Sequence, residues 1–285
     1  MGLSREHIRA AYEDACRAEI DALKPGNVHV FADGHGMNAA QFIESARISS
    51  GPLTEPGLPL GRRILEAVRA TRAAIGTNTN LGIVLLCAPL MRAAEMPGID
   101  LRASLEKVLD GMDMDDTAAV FGAIVHSSPG GLGASDAHDV HDVPTVHLTE
   151  AMRAAADRDM VARQYATRYA DVFGVGLAAL HAALRRGESG MWPTVSAYMA
   201  FLTGFPDSHV ARKHGNAVAE QVRGEATDVR NSLEIAGGEA ARTRLLMDFD
   251  RNLKARAINP GTSADLTVAC LLVHSLGAQL ASTEG

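Results

Sequence analysis

Aspartate and histidine crowd one short stretch of the chain: Asp136, His138, Asp139, His141 and Asp142 fall within seven positions. Carboxylates so placed suit Mg2+, and imidazoles suit a transition metal, with Asp139, His141 and Asp142 the candidate ligands. The same residues would serve equally as a solvated loop, since neither the spacing of a two-histidine zinc motif nor the regularity of an EF-hand is present. Further on, His209, Arg212 and Lys213 stand at i, i+3 and i+4, which on a helix puts three potential cations on one face. That is a polyphosphate clamp or an exposed basic face. Lys24-Pro25-Gly26-Asn27 follows a predicted helix. Pro-Gly stops a helix and lysine suits its last turn; in chemical terms, Lys24 could hold a phosphate and Asn27 a polar group of a substrate.

Two polar collars precede apolar segments. In Gly76-Thr77-Asn78-Thr79-Asn80-Leu81-Gly82 the Asn and Thr side chains can cap the helix that follows. They exceed what one cap needs, and a helix start with free N–H groups can also take a phosphate or carboxylate. Asn259-Pro260-Gly261-Thr262-Ser263-Ala264-Asp265 repeats the pattern, with Thr262 or Ser263 as cap and Asp265 suited to the dipole, a metal ion or a sugar hydroxyl. Two buried helices that begin this way could face one pocket.

The elements that must position these residues read as helices. Apolar residues recur at helical spacing over 7–23, 61–75, 101–111, 116–126, 149–186, 189–203, 208–234 and 238–257. Within them, Asp157, Arg158, Asp159 and Arg163 read as an exposed face, as do Asp248, Asp250, Arg251 and Lys254. The composition agrees: 47% hydrophobic with only 4% aromatic leaves a core of Ala, Leu, Val, Ile and Met. No alternating run suggests a strand, and no linker or repeat divides the 285 residues. The expected architecture is therefore all-α, a single-domain helical bundle over 1–285 with polar ligand-binding loops at 24–38, 76–82, 129–145, 206–215 and 259–265.

A formal charge of −7 argues against nucleic acid as a partner. Cys16, Cys87 and Cys270 are scattered in apolar patterns and read as reduced, buried thiols of a cytoplasmic protein. The N-terminus lacks a signal-peptide core, and the longest apolar stretch, Leu266 to Ala281, falls short of the roughly 20 residues of a membrane span. The expected partners are phosphorylated small molecules, with a homo-oligomer left open. No nucleophile elbow, Walker A or GxGxxG motif is present, so the chemistry indicated is placement and charge stabilisation.

Taken in order, the loops resemble the triphosphoribosyl-dephospho-CoA synthase family. The matching residues are Lys24-Pro25-Gly26, His35 with Met37 and Ser45, Asn78-Thr79 with Gly82, the Asp139/His141/Asp142 loop, and Asn259 to Asp265. The resemblance implies an all-helical enzyme that joins the ribose C1 of ATP to a hydroxyl of dephospho-CoA and expels adenine. By carry-over, Lys24, Arg212 and Lys213 would hold phosphates, and Asn78, Thr79 and Asn80, with Asn27, His35, His209 and Ser263, would contact the nucleotide. Asp142 and Asp265 would act as base or hold Mg2+. Two positions depart from the family pattern: Met37 stands where an Asp-Met pair is usual, and Asn80-Leu81 replaces His-Lys. The runs Asn78 to Gly82 and Pro206-Asp207-Ser208-His209 are similar to a divergent branch found beside genes of tetrahydromethanopterin-linked one-carbon metabolism. That likeness implies transfer of a phosphorylated ribosyl group in cofactor assembly, from ATP or phosphoribosyl pyrophosphate. A non-catalytic nucleotide- or pterin-binding protein is the alternative.

Overall fold

The computed structural model describes residues 2–98, 100–129, 133 and 137–282. Among these are fourteen α-helices and no β-strand, so the fold is all-α as its composition predicts. In chain order they are α1 (Arg5–Ile20), α2 (Ala39–Leu53), α3 (Leu60–Ile75), α4 (Leu81–Ala94), α5 (Leu101–Asp110), α6 (Met114–Ser127) and α7 (Leu148–Ala155). There follow α8 (Met160–Ala166), a π-helical turn (Val172–Gly176) that runs into α9 (Leu177–Arg185), α10 (Trp192–Gly204) and α11 (Ser208–His214). The last three are α12 (Asn216–Ile235), α13 (Glu239–Ala255) and α14 (Gly261–Ser282).

Two predicted helices are interrupted by backbone chemistry. The stretch 149–186 divides because the Asp159 carboxylate accepts from the N–H groups of Val161 and Ala162, at 2.8 and 3.1 Å, and so starts α8 afresh. Arg168 and Tyr169 then take positive φ, 53° and 59°, beyond the end of α8. Gly215, at φ 91°, separates α11 from α12 within the predicted 208–234. Conversely, α2 lies outside every predicted span. Its buried face is Ser45, Ala46, Ser49, Ser50 and Leu53, and hydroxyls carry no hydrophobic period. The serines satisfy themselves on their own helix, as when Ser49 Oγ donates to the Ser45 carbonyl at 2.7 Å.

Two hydrophobic clusters hold the helices. The larger is built by α1, α3, α4, α5, α6 and most of α14; the smaller by α10 to α13, through residues such as Tyr198, Leu202, Val210, Val222, Leu246 and Leu253. Helix α10 serves both. Ala197 and Phe201, four apart on one face, join the larger cluster, while Val195, Tyr198 and Leu202 join the smaller. Helix α14 also crosses over, with Ala264 in the smaller cluster and Leu266 to Leu280 in the larger. At 22 residues it exceeds its apolar stretch and is long and apolar enough to cross a bilayer, yet it packs against α1, α4 and α10 as a core helix. Cys16, Cys87 and Cys270 are buried and unpaired, as expected.

Candidate active site

The loop after α1 is an anchor. Lys24 is fully buried, and its ammonium donates to Glu19 at 2.5 Å, Asn27 Oδ1 at 2.9 Å and the Val28 carbonyl at 2.6 Å. An ammonium has three protons, so none remains for a phosphate, and the expected phosphate role of Lys24 is corrected to a structural one. Asp250 is also buried rather than on an exposed face. It accepts from the Gly26 N–H at 2.8 Å and pairs with His29 and Lys254 at 3.2 and 3.1 Å. Tyr198 donates its hydroxyl to the Pro25 carbonyl at 2.7 Å. His35 lies at 2.8 Å from the Gly26 carbonyl through Nε2, turned to this loop rather than to the cavity described below. Asn27 does face that cavity, and its amide donates to Asn259 Oδ1 at 2.8 Å, tying the first loop to the last.

The two collars both cap and line. Asn78 Oδ1 accepts from the Leu81 N–H at 3.1 Å and starts α4. Thr79 pairs with Ser45 at 2.5 Å. Asn80 is buried and donates to Ser49 Oγ at 3.2 Å, which corrects its nucleotide role to an internal one. In the second collar α14 begins at Gly261, so Ser263 is not its cap. Ser263 instead donates through N–H and Oγ to Asp207, at 2.7 and 2.8 Å, while Asp207 accepts from the N–H groups of His209 and Val210. Ser263 is thereby engaged in joining α11 to α14 and is not a cavity residue.

These elements enclose a cavity of about 510 Å3. Glu19, Asn27, Asn78, Thr79, Asp159, His209, Arg212 and Asp265 supply polar groups to its wall, and α4, α6, α7 and α8 supply an apolar one. Asp265 sits against Gly82 in the first turn of α4, in space that a Cβ at Gly82 would occupy. Burial, with Glu19 and Asp207 nearby, holds its carboxyl well above the usual carboxylate range. His209 occupies the corresponding space over Gly261. Burial and the neighbouring Arg212 and Lys213 push its imidazole down to about 3, so the ring is neutral. Arg212 pairs with Asp159 at 2.5 Å. Lys213 is exposed and outside the lining, so the expected three-cation clamp reduces to Arg212 beside a neutral His209.

The acidic loop does not assemble as expected. Asp139 lines the cavity and accepts from the His141 N–H at 2.9 Å, with the His141 ring at 2.7 Å. His141 and Asp142 are exposed, and Asp142 lines a separate recess of about 110 Å3. Asp136 lies outside the described residues. Among the described residues no three His, Cys, Asp or Glu side chains converge on a metal position, so Asp139, His141 and Asp142 form no metal cage, and Asp142 stands apart from Asp265.

Sequence reasoning missed Glu19 and placed Arg158 and Asp159 on an exposed face. Asp159–Arg163 reads as an i, i+4 pair, but Arg163 pairs with Asp171 at 2.8 Å and leaves Asp159 to Arg212. No local signal distinguishes these partners.

The seating of Asp265 gives a direct check. Gly→Ala within a helix ordinarily stabilises by roughly 0.5–1 kcal/mol; here the new methyl meets a carboxylate, and Gly82→Ala is expected to destabilise by about 1–3 kcal/mol instead. Adding Asp265→Ala is expected to recover most of that loss. A chemical-denaturation cycle with no coupling between the two sites would show that Asp265 does not occupy this space.

A family model described as ATP:dephospho-CoA triphosphoribosyl transferase (CitG) matches residues 5–284, almost the whole chain. The chain belongs to the CitG family. A crystal structure of an Archaeoglobus fulgidus protein described as a triphosphoribosyl-dephospho-CoA synthase is similar in fold, with TM-score 0.62 and 24% sequence identity over 85% of this chain and 99% of that chain. A comparison with curated proteins finds no match. CitG-family membership accounts for the order of the polar loops, and all five contribute residues to the cavity wall.

Proposed function

We propose that this CitG-family protein transfers a phosphorylated ribosyl group from ATP to an acceptor hydroxyl, with the cavity as its site. The observation that supports this most is Asp265, a carboxylate in the cavity wall whose burial raises its proton affinity. A carboxylate so tuned suits a general base. In the reaction the acceptor oxygen bonds to ribose C1′ as the bond from C1′ to adenine breaks. Adenine leaves with that electron pair, and Asp265 takes the hydroxyl proton, which is finally balanced on the departing base. The same negative charge stabilises an oxocarbenium-like transition state.

The cavity's carboxylates also fit Mg2+. Asp265 has no hydrogen bond among the described residues, and Asp159 and Glu19 share the wall. Mg2+ commonly takes only one or two protein carboxylates and completes its shell with phosphates and water. When bound, it would neutralise the phosphates of the donor. Asp265 would hold it or serve as base; Arg212 contacts the phosphates directly. Arg212→Ala is expected to weaken binding of Mg2+–tripolyphosphate about tenfold or more, as loss of a charge-assisted hydrogen bond does. Lys213→Ala should leave calorimetric affinity nearly unchanged, and equal losses would argue against this placement.

For the acceptor, the Asn78–Gly82 and Pro206–His209 runs support a hydroxyl of a tetrahydromethanopterin-type cofactor precursor. The test offers ATP or phosphoribosyl pyrophosphate, with Mg2+, to dephospho-CoA or a pterin-polyol, and follows adenine or pyrophosphate release and the adduct by mass spectrometry. Release that depends on one acceptor supports the reading. No release and no adduct with any pair overturns it and leaves a nucleotide- or pterin-binding protein.

A further inference from the structure

We infer that Ser45, which lies behind the cavity wall, fixes the hydrogen-bonding sense of Thr79, so that Thr79 accepts from a hydroxyl of the transferred ribosyl group and donates nothing to it. This deepens the transferase reading and rests on it for the identity of the sugar. Ser45 is fully buried on α2 and is not part of the cavity lining. Its hydroxyl donates to the Gln41 carbonyl at 2.6 Å, and a carbonyl can only accept. A serine hydroxyl carries one proton and two lone pairs. In the 2.5 Å contact with Thr79 it is therefore Ser45 that accepts and Thr79 that donates. Thr79 lines the cavity with its one proton turned back into the protein, and what it offers a ligand is a lone pair. Its neighbour has the opposite sense. Asn78 accepts the Leu81 N–H through Oδ1, which leaves its amide protons to be given.

That polarity sorts the groups a substrate could place against Thr79. A fully ionised phosphate has no proton to donate and would set lone pair against lone pair. The attacking hydroxyl has one proton, which goes to Asp265. A hydroxyl that keeps its proton through the reaction satisfies Thr79. Thr79 and Gly82 flank the start of α4 at Leu81, and Asp265 is seated against Gly82. Thr79 and the carboxylate thus border the cavity at one helix terminus, where the sugar is substituted at C1′. The 2′- or 3′-hydroxyl of that sugar is the group assigned to Thr79. In glycosyl transfer, a hydrogen bond to the hydroxyl beside the reacting carbon strengthens as positive charge develops.

The test is calorimetric titration of ATP, 2′-deoxy-ATP and 3′-deoxy-ATP, each with Mg2+, into the native protein, Thr79→Val, Thr79→Ser and Ser45→Ala. Adenine release is followed on the same preparations. The native protein is expected to bind one deoxy analogue about three- to tenfold more weakly than ATP, as loss of one neutral hydrogen bond does. Which analogue suffers identifies the hydroxyl. Thr79→Val keeps the shape of the side chain and should lose a similar factor on ATP, with nothing further lost on that analogue. Thr79→Ser should restore the preference. Ser45→Ala releases the Thr79 proton and should reduce the preference to within about twofold. A purely structural loss would weaken all three nucleotides alike. The inference is overturned by such equal losses, by a native protein that binds no nucleotide or does not discriminate, or by a preference that survives in either Thr79→Val or Ser45→Ala. The expected pattern without adenine release with any acceptor would sink the transferase reading alone. Release with an unchanged preference would sink the Thr79 assignment alone.

Discussion

Asp265→Asn is expected to lower turnover by about 10²–10⁴-fold, the range for loss of a general base, while raising the melting temperature. The two changes have one cause. Asp265 is half-buried in the cavity wall, with Glu19, Asp207 and Asp159 as like charges around it and Arg212 as the opposing one. Its pKa in the folded state lies above that of the unfolded chain. Its contribution to stability is therefore fully present below the unfolded pKa and is lost as pH rises through the raised value. Above the unfolded pKa the raised value is therefore a burden on the fold, and asparagine removes the titration while keeping the shape. Each kcal/mol so recovered raises Tm by about 2–4 °C. The native pH–rate profile should likewise lose activity on acidification at a pKa above the ordinary aspartate range. A variant that is inactive and also less stable would indicate that Asp265 is a structural residue. Calorimetry and adenine release measured on the same preparation decide the matter.

Lys24→Met is expected to be the most damaging single change to stability, at about 3–5 kcal/mol, because it leaves the Glu19 carboxylate in a buried position without its partner. Asn27 and the Val28 carbonyl lose a donor at the same time. Denaturation of Lys24→Met against the Glu19→Gln/Lys24→Met double variant checks the cause, since removing both charges should restore part of the loss. If Lys24 served phosphate instead, the single variant would keep its stability and lose only ligand affinity.

The all-helical class was legible because helix formers and a period of 3.6 act locally. Helix boundaries were less so. Asp159 acting as an N-cap and Gly215 at positive φ turn the chain within apparently continuous patterns. Helix α2 was invisible because serines pack as well as alanines when their hydroxyls fold back on the helix. The collars were recognisable as polar and as placed before buried helices, and Asp265 follows from its motif. What the motif could not convey is division of labour. Lys24, Asn80 and Ser263 carry the residue types of ligand contacts but are consumed by internal partners 3 to 56 positions away. Of the two carboxylates that motif reading left out of the cavity, Glu19 is paired to Lys24 five positions on, and Asp159 to Arg212 from a segment 53 positions away.

Helix α14 passes from the smaller core to the larger within the turn that carries Asp265. The cavity is accordingly a seam: His209 and Arg212 ride on one core, Gly82, Phe121 and Met152 on the other, and Asp265 stands at the crossing. A substrate lying across that seam acts as a rivet. Slow amide exchange along α11 and the first turns of α4 and α14 should rise and fall together as it binds and leaves, so that the residence time of the substrate is also the lifetime of the joint.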